Sequence, residues 1–346
     1  MILSPSRAEA IAAARADKPK MRERDLAESL GIREAEILAA DLGHGVRRIV
    51  ADPAQLLPRV EALGDVMALT RNDHCVHERR GIYTGFHAGA HAAMVLGDDI
   101  DLRIFPRHWV HAFAVERAGA DGTKRSLQVF DAAGDAVHKI HLGPDSDIAA
   151  FDALVADLAL ADDAPFDLDP RAIVEPVRVN VDKLDELRSH WVAMTDTHQF
   201  VPLTKRLNFD RLGANRSIGA PWAVQLPVTA LEDALHQAAA RALQIMIFVG
   251  NRGCIQIHSG TVQRLEPMGP WFNVLDPRFN LHLRADKVAE VWLVRKPSKR
   301  GDAISVEAFD ADGQLILQIF GKRAEAATDT KGWDQLADTL AGGVMA

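Results

Sequence analysis

The residue with the clearest chemical setting is His198. Leu184, Leu187, Trp191, Met194 and His198 recur at steps of three or four, the spacing of one helical face. Asp182 is a suitable N-cap for such a helix, and Pro202 should break or kink it. Lys205, Arg206 and Arg211 follow. An imidazole on an apolar stripe is most often a core histidine with a hydrogen-bond partner. The sharper reading is an axial ligand to haem iron in an apolar slot, with cations for the two propionates. Spacing alone leaves both open.

Other polar clusters are weaker. Arg71-Asn72-Asp73-His74-Cys75-Val76-His77-Glu78-Arg79-Arg80 holds two histidines and a cysteine, but no second ligand cluster with metal spacing accompanies it. His87 and His91 sit among glycines, which favours a polar loop or strand end. Cys75 and Cys254, the only cysteines, give no disulfide framework, and Cys75-Val76-His77 is not a c-type haem attachment motif. Met21 to Ile32 resembles the first helix and turn of a helix-turn-helix. Its continuation, Arg33-Glu34-Ala35-Glu36-Ile37-Leu38, mixes charges instead of presenting a basic recognition face, so helix packing over a sheet explains it better than DNA reading.

The elements that must position these residues are organised by an internal repeat at a constant offset of 179. Asn72, Cys75 and Gly81 match Asn251, Cys254 and Gly260. Leu102, Val115 and Ser126 match Leu281, Val294 and Ser305. Phe130-Asp131-Ala132 and Gly134 match Phe309-Asp310-Ala311 and Gly313. Leu102 and Ile104 alternate with Asp101, Arg103 and Phe105; Leu281 and Leu283 alternate with Asn280, His282 and Arg284. A period of two marks half-buried strands. Asp131 to Gly134 and Asp310 to Gly313 read as hairpin turns. The expected fold is therefore α+β, a duplicated domain of two similar halves, each with a large antiparallel sheet covered by helices. The halves are placed at 1–160 and 180–346, joined by an acidic, proline-bearing linker at 161–179. A short helix is expected near Trp333, Leu336 and Leu340.

The chain has 346 residues, 48% of them hydrophobic, and a formal net charge of −8. That balance argues against a nucleic-acid footprint. The N-terminus lacks a basic region followed by a long apolar run, and no stretch of about 20 apolar residues occurs. The cytoplasm is the expected location, with no membrane span.

Several long segments carry a family resemblance. They are Arg71 to Glu78; Leu96-Gly97-Asp98-Asp99-Ile100-Asp101-Leu102-Arg103-Ile104-Phe105, ending in His108-Trp109; Gly250-Asn251-Arg252-Gly253-Cys254; Gly269-Pro270-Trp271-Phe272-Asn273-Val274-Leu275-Asp276-Pro277; and Trp292-Leu293-Val294-Arg295-Lys296-Pro297. Over roughly residues 5–325 the chain resembles the HemS/ChuS family of bacterial haem-utilisation proteins. The resemblance implies haem, as ligand or substrate, in a cleft on the C-terminal half. The family's axial histidine lies in a Thr-Asp-x-His-Gln-Phe motif, here Thr195-Asp196-Thr197-His198-Gln199-Phe200, which singles out His198. The arginine of Asp101-Leu102-Arg103 is implied on the opposite haem face, as the catalytic residue. Further implied contacts are Arg211, Met246, Lys296, Gln318, Phe320 and Arg323. The family has a tyrosine at the Phe320 position, so one polar contact is missing here. The implied activity is breakdown of haem to release iron, dependent on oxygen and a reductant or reductase. The alternative is a carrier that takes haem from an ABC importer or passes it to a separate oxygenase; a DNA-binding protein is the remote third.

Overall fold

The computed structural model describes residues 5–89, 91–119, 122–161, 166–322 and 331–345. Two compact units form. The first comprises Met1–Arg71, His77–Ala172 and Gly250–Gln256; the second comprises Asn72–Val76, Ile173–Val249 and Ile257–Ala346. Residues 162–165 of the expected linker lie outside the described residues.

In the N-terminal half, helices α1 (Pro5–Asp17), α2 (Glu23–Leu30) and α3 (Glu34–Ala39) precede strand β1 (Val46–Ile49) and helix α4 (Pro53–Val60). Then come β2 (Val66–Arg71), β3 (Cys75–Gly81), β4 (Phe86–His87), β5 (Ala93–Leu96), β6 (Asp101–Ile104), β7 (His111–Gly119), β8 (Gly122–Phe130) and β9 (Ala136–Leu142). Helix α5 (Ile148–Leu158) closes the half. Strands pair antiparallel in the order β1-β7-β8-β9-β2. Alternation along β7 separates two cores. Ala112 and Ala114 share one with Leu56 and Val60 of α4 and Phe151 and Leu154 of α5. Phe113 and Val115 share the other with Ala35 and Leu38 of α3.

The C-terminal half follows the same plan: α6 (Leu184–Val192), α7 (Phe200–Leu207), α8 (Arg211–Ile218), β10 (Ala223–Leu226), α9 (Ala230–Ala240), β11 (Ile245–Gly250), β12 (Cys254–Gly260), β13 (Leu265–Met268), β14 (Trp271–Asp276), β15 (Phe279–Arg284), β16 (Glu290–Lys296), β17 (Ala303–Phe309), β18 (Leu315–Gly321) and α10 (Lys331–Met345). The order is β10-β16-β17-β18-β11, again antiparallel. One sheet face, with Ile247, Val306 and Ile319, packs with Leu231 and Leu235 of α9 and Trp333 and Leu336 of α10. On the other face Trp292 and Val294 pack with Leu187 and Trp191 of α6, Phe200 and Leu203 of α7 and Leu212 of α8.

The duplication is visible to the residue. Shifted by 179, β2, β3 and β9 coincide end to end with β11, β12 and β18. The two aspartate turns are also equivalent. Asp131 Oδ1 accepts from the backbone N–H groups of Ala133 and Asp135, and Asp310 Oδ1 from those of Asp312 and Gln314. Each turn needs a left-handed residue, supplied by Gly134 (φ 80°) and Gly313 (φ 77°). The expected α+β fold, with an antiparallel sheet and covering helices in each unit, is what forms.

One expected element does not form. The stripe from Leu184 to His198 is not a single helical face: α6 ends at Val192, and a separate 3-10 turn runs from Thr197 to Gln199. Asp182 lies inside a 3-10 turn over Val181–Lys183 and does not cap α6. Pro202 stands in the first turn of α7 instead of breaking a helix, since its missing N–H would be unpaired there in any case. The cause is local capping: Gln199 Oε1 accepts from the N–H groups of Thr195 and Asp196, and Asp196 Oδ1 accepts from the His198 N–H. Among the described residues, no helix is long and apolar enough to cross a membrane.

Candidate functional site

His198 stands on the short turn that Asp196 and Gln199 cap, and its side chain is 94% exposed. Its Nδ1 lies 2.7 Å from Asp196 Oδ1. The His198 backbone N–H and ring hold the Asp196 carboxyl below its usual range. With Nδ1 engaged as the donor, the ring's other nitrogen, Nε2, is the one with a lone pair to offer. Two anchors hold the turn against the unit. The Lys299 N–H donates to Thr195 O at 3.0 Å, and Trp191 Nε1 at the end of α6 donates to Arg295 O at 2.9 Å.

Three of the expected contacts converge on a residue that sequence reasoning missed. Glu307, on β17, is fully buried. Its Oε1 accepts from Lys296 Nζ (2.7 Å), Gln318 Nε2 (2.8 Å), Ser305 Oγ (3.0 Å) and Arg211 (3.4 Å), and its Oε2 from Asn215 Nδ2 (3.1 Å). Burial alone would raise the pKa of this carboxyl, but the charges of Lys296 and Arg211 hold it down to about 2. Lys296 is buried, whereas the Arg211 side chain is 27% exposed. Arg211 opens α8, whose N-cap Asp210 accepts from the Gly213 N–H at 2.6 Å. Gly213 is required there: a Cβ would lie 1.9 Å from the Arg178 carbonyl oxygen.

Apolar residues complete this sheet face. Met246 on β11 is opposite Phe320 on β18, and Phe248 is opposite Gln318. The rings of Phe248 and Phe320 meet edge to face at 5.1 Å. Met246, Phe248 and Phe320 are all half-buried. Phe248 and Asn215 were not anticipated. The only sequence signal for Glu307 is an acidic residue in the run Ala303-Ile304-Ser305-Val306-Glu307-Ala308-Phe309, which is apolar but for Ser305. Arg323 lies outside the described residues.

Arg103 belongs to the first unit, on β6, opposite Met94 of β5. Its guanidinium pairs with Asp101 and donates to the Leu102 carbonyl. Burial lifts the Asp101 carboxyl above its usual range, against the pull of Arg103. Of the other histidines, His74 is paired with Asp310 at 3.4 Å and His77 is buried in β3. Among the described residues no group of three or more His, Cys, Asp or Glu side chains is arranged to hold a metal ion.

Comparison with known proteins identifies the family. The domain described as "Haemin-degrading HemS.ChuX domain" matches twice, over residues 31–158 and 208–340. The chain is 39% identical to "Hemin transport protein HmuS" of Yersinia pestis over 326 residues, 94% of each chain. Its structure is similar to that of holo-PhuS, a heme-binding protein from Pseudomonas aeruginosa, with 44% identity and a TM-score of 0.92 over 98% of this chain and 99% of that one. It is also similar to ChuS, an E. coli heme oxygenase, with 34% identity and a TM-score of 0.85 over 93% and 96% of the two chains. On this evidence the chain belongs to the haemin-degrading HemS.ChuX domain family.

Proposed function

We propose that this chain binds haem in the cytoplasm as part of a bacterial haem-uptake system, with His198 as axial ligand, and that it degrades the haem to release iron. The carrying observation is the His198 turn: an exposed imidazole whose Nδ1 is tied to Asp196, leaving Nε2 to meet a metal from solvent. The remaining residues suit the rest of the molecule. Met246, Phe248 and Phe320 offer an apolar surface to a flat ring, and Arg211 offers a partly exposed cation to a carboxylate tail. Arg323 takes the same role as Arg211 by the family resemblance. Bound haem supplies the oxygen chemistry, while the protein binds, orients and encloses it. Arg103 keeps the role of a fixed cation for developing negative charge, its guanidinium held by Asp101.

The name of the Yersinia pestis relative favours a second reading, a carrier that takes haem from an importer and delivers it to a separate oxygenase. The name of the E. coli neighbour favours degradation, for which a reductant or reductase is the further partner. One experiment separates them. The protein is loaded with haem anaerobically, then given reductant and oxygen with catalase present, and haem absorbance and iron release are followed. Degradation should proceed in the parent and slow by on the order of 10²-fold in Arg103→Ala, as for a lost oxyanion donor. His198→Ala should alter the haem spectrum and weaken binding, with residual affinity from apolar burial. If catalase abolishes breakdown and Arg103→Ala matches the parent, the carrier reading replaces degradation. An unchanged spectrum in His198→Ala would remove the ligand assignment.

A further inference from the structure

The buried carboxylate of Glu307 gathers five donors from β16, β17, β18 and α8, and two of them are cations. Both cations also lie over one ring. Lys296 Nζ is 4.7 Å and the Arg211 guanidinium carbon 4.9 Å from the centroid of Phe200. Phe200 is itself buried, edge to face with Trp191 at 5.4 Å. It is the first residue of α7 and caps the turn that carries His198. A continuous path of contacts therefore runs from Glu307 through its cations and the ring to the backbone two residues from the imidazole.

We infer that Glu307 is a positioning residue: it does not touch the bound molecule, but sets the pose of His198 through Lys296, Arg211 and the Phe200 ring. The inference rests on His198 being the iron ligand. Physically, the anion is what permits two cations to share one aromatic ring in a poorly hydrated place. Like charges repel strongly where the effective dielectric is low. A buried lysine stripped of its counter-ion is costly and moves toward water. Without the charge of Glu307, one cation should leave the ring. Phe200 then loses a partner, and the start of α7 with its preceding turn can shift. A ligand displaced by a fraction of an ångström to 1 Å is enough to change coordination.

A merely structural carboxylate would alter stability and leave the iron's surroundings alone, so the readout is spectroscopic. The proteins compared are the parent, Glu307→Gln, Glu307→Asp, Phe200→Leu, the Gln and Leu changes combined, and His198→Ala as reference. Each is checked for folding by circular dichroism and melting. Ferric haem spectra are then recorded, together with the rate of haem loss to excess apomyoglobin.

Glu307→Gln should give a spectrum intermediate between the parent and His198→Ala, and lose haem about tenfold faster or more. Phe200→Leu should show the same shift although all three charged groups remain. Glu307→Asp should lie nearer the parent. Because the residues act in series, the combined variant should change little beyond the larger single effect. Parent-like spectra and loss rates in Glu307→Gln and Phe200→Leu, with His198→Ala altered, overturn the positioning role and leave the ligand reading standing. If His198→Ala is itself unaltered, both fall. If Glu307→Gln does not fold, Phe200→Leu decides, and a parent-like spectrum there overturns the inference.

Discussion

At the scale of single residues, the histidine is defined as much by its neighbour as by its own type. Asp196 does two tasks: one oxygen caps the turn through the His198 N–H and also accepts from the ring. A carboxylate on Nδ1 fixes the tautomer and makes the opposite nitrogen a better donor to a metal. Asp196→Ala should therefore weaken haem affinity by about tenfold or more, even with His198 in place. Absorbance titration of ferric haem checks this; equal affinity in parent and variant would mean that the carboxylate serves the turn alone. The motif Thr195 to Phe200 singled out His198, but spacing misjudged its setting. Periodicity cannot register a helix break, and here Asp196 and Gln199 bind backbone N–H groups that a continuous helix would use internally. Glu307 was illegible for a related reason. Its partners come from four elements, and nothing local in the sequence joins them.

At the scale of elements, what was legible is what local alternation dictates. Strand β6 buries Leu102 and Ile104 and leaves Asp101 and Arg103 half-exposed; β15 buries Leu281 and Leu283 in the same way. The duplicated strands and both aspartate turns followed from the repeat, because each copy must bury its own face. The pair α2 and α3 shows how burial decides between readings. Every residue of α3 is buried, including Glu34 and Glu36, so it has no face to offer a nucleic acid. Lys139 pairs with Glu34, and Arg7 with Glu36. Burial would raise the Glu34 pKa, but Lys139 outweighs it and holds the carboxyl below its usual range. Removing one partner of such a pair strands the other. Glu34→Ala should cost the first unit roughly 3–5 kcal/mol. Urea unfolding followed by hydrogen exchange on β8 and β9 measures the loss; a change under about 1 kcal/mol would mean that Lys139 finds water easily.

At the scale of the whole molecule, the two units share a plan but not the titrating groups at equivalent positions. Four histidines of the first unit are pushed below their usual range: His108, His111, His138 and His141. His138 is the extreme case. It is fully buried, its Nε2 is 2.6 Å from the Tyr83 hydroxyl and its Nδ1 2.8 Å from Thr70 Oγ1, and burial, with help from the charge of His141, takes it down to about 3 from 6.5. In the second unit the equivalent position, 179 residues on, is the apolar Leu317. A folded pKa below the unfolded one means that the unfolded chain binds the proton first. The stability from keeping His138 neutral is thus fully present above about pH 6.5 and is lost as pH falls toward 3, at up to about 1.4 kcal/mol per pH unit. Glu307 in the second unit has the same sign but a lower window: its contribution is present above about 4.5 and fades toward 2. Between pH 6.5 and 4.5 the loss expected from these two groups should therefore fall on the first unit. Hydrogen-exchange protection, corrected for the intrinsic rate, should drop in β8 and β9 over that interval. His138→Leu, which copies the second unit, should be less stable at neutral pH because Tyr83 and Thr70 lose their partner, yet its unfolding free energy should vary less steeply over that interval. If parent and His138→Leu have the same slope in urea titrations at successive pH values, the buried histidine is not what makes the first unit acid-sensitive, and the weight passes to His141 and its neighbour Lys139.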